Sequence, residues 1–267
     1  MIQNNKNIID YFIIGHNSEC FNAHNLKSAK YLLVGPQTSQ NAKHIDCKAL
    51  QNNLENYPFL CSYTGWFAIA KNNLFNSPFV SMIEYDTKIS SKFHSVNLET
   101  IRDQKKANNF VIAYSKTLTD HYVFYKSTPW LELTLKKIYN IDLHTFVENN
   151  KKKHPFWPTT TNITAPQSIL LKFVEWFDPI SKYIRSEPLG SYVHERAFFV
   201  FCVINNIDII YPKYNVLQHQ QLCSHNNNDI YGQFLKTKNT DILTDDMTLE
   251  YDYFYKKQYN LLRKINQ

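Results

Sequence analysis

The chain has 267 residues, of which 43% are hydrophobic and 19% charged, so it can bury a large core and is not a disordered protein. Its formal charge of +6 comes mostly from lysine and favours an anionic binding partner. Because the sequence has no arginine clusters, we do not expect that partner to be a nucleic acid. The five glycines form no G-x-G-x-x-G turn, P-loop or G-x-S-x-G elbow, which disfavours dehydrogenases, P-loop kinases and α/β-hydrolases.

The sequence shows no pattern that predicts export or membrane insertion. The longest apolar stretches, such as residues 197–204, are far shorter than the roughly 18 residues that a membrane span requires. The amino-terminal segment has no small-residue cleavage site of the secretory kind. The five cysteines are scattered and never spaced C-x-x-C, which disfavours a disulfide framework and a zinc ribbon. We therefore expect a cytoplasmic protein in a reducing compartment.

The first half of the chain alternates strands with helices. Residues 8–15 and 31–35 are apolar or β-branched runs that end in glycine, which is typical of buried strands. Apolar residues recur at spacings of three and four across residues 57–73, which predicts a helix, and Gly65 within it predicts close packing. A strand at residues 79–83 follows.

The same alternation continues along the chain, with predicted elements that share an apolar run or an apolar stripe. A polar helical stretch begins near residue 97, and the later elements are a strand at 110–114, helices at 131–139, 167–182 and 190–206, and a strand at 207–211. Prolines make residues 154–162 an ordered loop. Strands that alternate with helices indicate an α/β fold, here one domain over residues 1–235.

Residues 236–267 are predicted to form a separate tail that ends in a basic amphipathic helix. Such a helix could rest on anionic lipid or simply close the domain. The expected contact with a membrane is therefore peripheral.

The first candidate site is the tripeptide Glu84-Tyr85-Asp86, which directly follows the strand at residues 79–83. Ligands of α/β sheets bind outside the carboxyl ends of strands, and two carboxylates there could share a hard cation such as Mg²⁺ or Mn²⁺. The alternative is a solvated strand end, because Glu250-Tyr251-Asp252 repeats the tripeptide within the polar tail.

Two pairs of segments resemble bacterial capsule and lipopolysaccharide glycosyltransferases. YPFLCSYTGWFAIAKN followed by FVSMIEYDT is similar to the tryptophan-bearing helix, strand and catalytic-site motif of those families. APQSILLKFVEWFDPI followed by GSYVHERAFFVFCVINNI is similar to their aromatic helix and the next helix start. The resemblance implies a GT-A type glycosyltransferase, with a mixed, Rossmann-like central sheet flanked by helices.

The resemblance also implies a set of ligands and the residues that hold them. A D-x-D-like motif, here Glu84 and Asp86, would bind the metal and the nucleotide ribose of a UDP- or GDP-sugar. A late histidine would complete the metal site, and His219 is the best placed in this sequence. His16 and Asn17, after the first strand, would contact the nucleotide.

Glu195 is the candidate base for the acceptor hydroxyl, because a carboxylate near a helix start can be positioned precisely. The alternative is that Glu195 caps the helix or pairs with Arg196. His194-Glu195 is not a zincin motif, since Phe198 stands where the second histidine would be required.

Four further residues are candidates for contacts with the sugar or the acceptor. Trp157 could stack on a sugar ring while Thr160 and Asn162 select its orientation, and His194 would lie beside the base. A tryptophan between prolines is equally consistent with a core position. The lysines at 151–153 could attract a diphosphate or form a solvated loop.

These observations predict a metal-assisted glycosyltransferase that transfers a sugar from a nucleotide-sugar to a hydroxyl of a glycan or lipid-linked saccharide. Two alternatives stay open: an inactive relative that binds glycans, and a metal-dependent nuclease or nucleotidyl enzyme. The latter would need a lysine or a third acid that converges on Glu84 and Asp86.

Overall fold

The computed structural model describes residues 7–24, 26, 28–57, 60, 62–104, 109–119, 129–184 and 190–219. Its strands are short, and five of the eleven follow the apolar runs of the sequence. They are β1 (Ile9–Gly15), β2 (Ala29–Leu33), β3 (His44–Asp46), β4 (Phe79–Glu84), β5 (Thr87–Ile89), β6 (Phe110–Ala113), β7 (Lys116–Leu118), β8 (Phe156–Pro158), β9 (Ile163–Pro166), β10 (Asp208–Ile210) and β11 (Leu217–His219).

The helices lie between these strands and carry most of the remaining apolar residues. They are α1 (Ser62–Lys71), α2 (Phe93–Asp103), α3 (Pro129–Tyr139), α4 (Leu143–Asn150), α5 (Gln167–Ile184) and α6 (Gly190–Ile204), with short 3-10 helices at Ser18–Ala23 and Cys47–Ala49. In the part of the chain that the structure describes, no helix combines the length and the apolar character needed to cross a bilayer.

A central sheet of seven strands, in the order β10-β6-β9-β4-β1-β2-β3, organises the described residues. The strands β3, β2, β1 and β4 are parallel to one another. The strand β9 runs antiparallel between β4 and β6, and β10 is parallel to β6. The fold is therefore a mixed α/β sheet, as predicted.

Helices cover both faces of the sheet, because successive residues of a strand point to opposite faces. On β1, Phe12 and Ile14 belong to the large core formed with α1, α3, α5 and α6. The alternate residues Tyr11 and Ile13 belong to a smaller core on the other face, where α2 packs. Two buried faces explain why the strand sequences read as continuous apolar runs.

The direction of the strands gathers several chain segments at one edge of the sheet. The parallel strands β1, β2 and β4 end there, and the antiparallel strand β9 begins there. The helix α1 leads into β4 and α6 leads into β10, so both helices start at this same edge. We refer to it as the carboxyl edge.

The predicted elements are largely confirmed, with small shifts in their ends. The helix predicted from residue 57 begins at Ser62, and the one predicted from near residue 97 begins at Phe93. The sequence analysis missed α4 and six short strands, among them β9, which lies in the middle of the sheet. The predicted tail, residues 236–267, lies outside the described residues.

The oxidation state of the cysteines differs in part from what a reducing compartment predicts. Cys47 and Cys202 are free and buried. Cys20, however, is disulfide-bonded. This bond weakens the argument for a reducing compartment, because that argument used the scattered cysteines as evidence against disulfide pairing.

The prediction of close packing at Gly65 is confirmed. A Cβ atom built on Gly65 would lie 2.7 Å from Cγ2 and 2.9 Å from Cδ1 of Ile14 on β1. Ile14 is 3% exposed and belongs to the large core. The helix α1 therefore reaches the sheet closely enough to place its first residue beside the end of β4.

Replacing Gly65 with alanine should lower the free energy of unfolding by about 1–3 kcal/mol, the usual cost of overpacking a buried contact. Urea unfolding would measure the change. Lys71→Ala, at the exposed end of the same helix, is the control and should stay within about 0.5 kcal/mol of the wild type. A Gly65→Ala variant as stable as this control would contradict the close approach of α1 to β1.

Candidate functional site

Glu84, the last residue of β4, is held by side chains from two neighbouring elements. Its backbone N–H donates to Oδ1 of Asn162 at 2.7 Å, because β9 begins at Ile163 and offers no carbonyl at this level. Its carboxylate accepts a hydrogen bond from Thr161 Oγ1 at 2.6 Å and another from Ser62 at the start of α1. These contacts turn the Glu84 side chain toward the helices α1 and α6.

Burial raises the pKa of Glu84 to about 7, and the negative charge of Asp86 adds to the increase. The hydrogen bonds from Thr161 and Ser62 oppose this increase because they stabilise the carboxylate. Near neutral pH both protonation states of the Glu84 carboxyl group are therefore populated.

Glu195, on α6, faces Glu84 across this edge. Burial raises the pKa of Glu195 well above its ordinary value, and the charge of Glu84 raises it further. Arg196 opposes this shift, with Nη1 at 3.6 Å from Oε2 of Glu195. The side chain of Glu195 is 11% exposed. The structure thus brings together two acids that are 111 positions apart in the sequence.

Arg196 is itself enclosed. Its side chain is 3% exposed, and its guanidinium carbon lies 4.8 Å from the centre of the Trp157 ring. A planar cation over a tryptophan face is a favourable contact when both groups are shielded from water. Arg196 therefore supplies positive charge next to Glu195 from a fixed position.

Asp86 lies in the turn between β4 and β5 and is partly buried. Its charge acts on two groups from different layers, since it raises the pKa of Glu84 and opposes the effect of burial on His24. Burial is the larger influence on His24, and the pKa of that histidine is lowered. Glu84 and Asp86 are thus close enough to interact, as the sequence analysis required.

Of the predicted nucleotide contacts, His16 is near the acidic tripeptide. Its ring packs edge to face on Tyr85, with 4.7 Å between the ring centres. Asn17 has a structural role instead, because its Oδ1 accepts the N–H of Glu19 and caps the short helix at Ser18–Ala23.

The predicted sugar contacts fit their assignment poorly. Trp157 is 1% exposed, and Arg196 covers its ring. The tryptophan therefore has the core position that the sequence analysis gave as the alternative. His194 is fully buried among the rings of Tyr63, Trp66 and Phe177. Neither side chain is exposed to a substrate in this structure.

Asn162 and Thr160 also have contacts within the protein. Asn162 is 6% exposed, and it donates from Nδ2 to Thr87 Oγ1 at 3.2 Å while it accepts the N–H of Glu84. Oγ1 of Thr160 accepts the N–H of Asn162 at 3.3 Å. Both residues shape the end of the site, and Thr160, which is partly buried, retains some exposed surface.

The predicted metal ligands are only partly described. Among the described residues, no group of three histidine, cysteine, aspartate or glutamate side chains is arranged to hold a metal ion. His219 lies on β11, and its backbone pairs with that of Thr87, the residue after Asp86. Its side chain lies outside the described part of the chain, so the predicted set of Glu84, Asp86 and His219 stays a prediction.

The sequence analysis missed three residues that contact the acidic tripeptide. Ser62 and Thr161 bind the carboxylate of Glu84, and His24 binds the carbonyl of Tyr85 through Nε2 at 2.6 Å. Thr161 lies between Thr160 and Asn162, two residues that the sequence analysis named. Ser62 and His24 carry no local signal, because only the folded chain brings them to the end of β4.

No family model matches the chain, and a search of curated proteins finds no match. Similarity is found among solved structures. The chain resembles the apo structure of the WbbM bifunctional glycosyltransferase with a TM-score of 0.57 and 13% sequence identity. The match covers 80% of this chain and 45% of that one, so the chain spans less than half of its neighbour. This likeness shows a glycosyltransferase-like fold.

The crowding of Glu84 and Glu195 predicts an unusual pH dependence of stability. Acids with a raised pKa bind more protons in the folded than in the unfolded protein, so stability should fall as the pH rises from about 4.5 to about 7. Glu195→Gln removes one of the two acids with a raised pKa, and it lowers the pKa of Glu84 because a neighbouring negative charge is lost. The fall should then shrink by roughly 1.4 kcal/mol for each pKa unit removed.

Urea unfolding at pH 5, 6, 7 and 8 in the presence of a chelator would measure this difference. Glu148→Gln is a matched control, because Glu148 is exposed and its pKa is lowered by Lys151. If the Glu195→Gln and wild-type curves run parallel, the two acids are not coupled.

Proposed function

We propose that this chain is a glycosyltransferase that moves a sugar from a UDP- or GDP-sugar to a hydroxyl group of a glycan or lipid-linked saccharide. The observation that carries the proposal is the meeting of Glu84, Asp86 and Glu195 at the carboxyl edge of a mixed sheet. This is the edge at which α/β sheets bind nucleotides. The glycosyltransferase-like fold supports the same assignment.

The carboxylate oxygens of Asp86 and Glu84 are suitable ligands for a hard divalent cation. Magnesium and manganese prefer oxygen ligands and need only one or two protein carboxylates when substrate phosphates complete the shell. Asp86 would be the first such ligand, and Glu84 would be the second in its ionised form. A bound Mn²⁺ or Mg²⁺ would supply positive charge beside the departing nucleoside diphosphate.

Glu195 is the proposed acceptor of the proton from the attacking hydroxyl group. Its raised pKa brings it closer to the proton affinity that a base needs. Arg196, at 3.6 Å, holds the carboxylate in position and stabilises its charged form. In this assignment the hydroxyl oxygen bonds to the anomeric carbon, the bond from that carbon to the diphosphate breaks, and the proton moves to Glu195.

A nuclease or nucleotidyl enzyme is the competing assignment, because Glu195 is a third acid near Glu84. Two-metal enzymes of this kind gather several carboxylates around their cations. The glycosyltransferase-like fold favours glycosyl transfer over this assignment. Salt-dependent binding of nucleic acid by the purified protein would favour the nuclease instead.

A thermal-shift titration tests the donor site. At about 100 times the dissociation constant, a UDP- or GDP-sugar with Mn²⁺ should stabilise the wild type by about 2.7 kcal/mol, or several degrees. Asp86→Asn should lose the manganese-dependent part of this shift. Asp103→Asn, an exposed aspartate on α2, is the control and should keep it. Absence of any shift with every nucleotide-sugar would overturn the proposed function.

A donor-binding and turnover measurement tests the role of Glu195. Glu195→Gln should leave the affinity for the nucleotide-sugar within about threefold and lower transfer to the acceptor by about 10²–10⁴-fold, the usual contribution of a general base. Glu148→Gln is again the control. Full transfer activity in Glu195→Gln would assign the proton to another group.

A further inference from the structure

The peptide between Tyr85 and Asp86 lies beyond the regular hydrogen bonds of the sheet. The strand β4 ends at Glu84, and the N–H of Tyr85 donates to the carbonyl of Ile14 at 2.9 Å. Asp86 then falls in the turn that leads to β5. A carboxylate carried by such a turn points in a defined direction only if other groups hold the turn.

The imidazole of His24 holds the carbonyl of Tyr85. The distance from Nε2 to this oxygen is 2.6 Å, and Nε2 must carry the hydrogen because a carbonyl can only accept. His24 is 8% exposed, and the contact joins positions 61 residues apart. The side chain thus replaces a backbone donor that the sheet no longer provides.

The backbone of His24 is itself fixed. Its N–H donates to the carbonyl of Phe21 at 3.1 Å, which closes the short helix, and its carbonyl accepts from the hydroxyl of Tyr31 on β2 at 3.3 Å. The imidazole therefore approaches Tyr85 from a rigid base.

The side chain of Tyr85 is also closely packed, and this packing restricts the movement of the same peptide. A Cβ atom added to Gly15 would lie 2.7 Å from Cβ of Tyr85, and the ring of His16 packs edge to face on the Tyr85 ring. With its side chain packed and its carbonyl bonded, Tyr85 has a fixed backbone direction. That direction sets where the Asp86 side chain leaves the chain.

We infer that His24 is a positioning residue that aims Asp86 at the proposed cation and diphosphate. The inference rests on the proposed function, since it assigns a purpose to a contact at the same site. His24 acts through the Tyr85 carbonyl and does not need to touch the ligand. Residues that orient a metal-binding carboxylate typically change metal affinity by about 10–100-fold when they are replaced.

The test compares His24→Leu, which removes the donor, with His24→Gln, whose amide can donate from nearly the same place as Nε2. Tyr139→Phe is the matched control, because it removes another side-chain bond to a carbonyl, that of Trp176, which joins α3 to α5 and does not involve the acidic tripeptide. Calorimetry would measure the affinity of each protein for UDP and GDP with Mn²⁺. Thermal unfolding would measure the stability of the same samples.

We expect His24→Leu to bind the nucleoside diphosphate at least tenfold more weakly, and His24→Gln to recover to within about threefold of the wild type. Tyr139→Phe should lose stability without losing affinity. If His24→Leu does not fold, His24→Asn replaces it, because its shorter amide cannot reach the carbonyl.

The outcomes separate the two claims. A wild type that binds neither UDP nor GDP overturns the proposed function and this inference with it. A wild type that binds, together with a His24→Leu or His24→Asn variant of equal affinity, overturns only the inference. Equally weak binding by His24→Gln and His24→Leu would also overturn it, because restoring the donor would then restore nothing.

Discussion

Two carboxyl groups that face each other away from bulk water, Glu84 and Glu195, impose the main constraint on this molecule. Removing a carboxylate from water is costly, and a second negative charge nearby adds to that cost. The surroundings offset it with hydroxyl donors, Thr161 and Ser62, and with the enclosed guanidinium of Arg196. A cluster of acids that is expensive to maintain is characteristic of functional sites.

The antiparallel strand β9 makes this arrangement possible. It enters the sheet between β4 and β6 and begins at the edge where β4 ends. Its approach delivers Thr161 and Asn162 to the carboxylate and the N–H of Glu84. In a wholly parallel sheet, the strand at this position would end at the carboxyl edge instead of beginning there. Thr161 and Asn162, which precede the strand, would then not reach Glu84.

The acidic tripeptide is therefore held from two layers. Asn162 fixes Glu84 and Thr87 from the side of β9, and His24 fixes Tyr85 from the side of the first loop. Close packing of α1 on β1 then brings Ser62 within reach of Glu84. Asp86, between these anchors, combines a defined position with partial exposure.

The sequence by itself determined the α/β class, most of the long helices, and the place of Glu84 and Asp86 at a strand end. These features follow from local periodicity, since a buried strand or an amphipathic helix repeats its apolar residues at a fixed spacing. Six of the short strands, β9 among them, were missed because three or four residues outside a longer apolar run carry no measurable period. Only the tertiary structure decided that Glu195 faces Glu84, that Trp157 lies beneath Arg196, and that His24 holds the tripeptide. Each of these contacts joins distant parts of the chain, and their energies depend on burial and charge, which exist only once the sheet has formed.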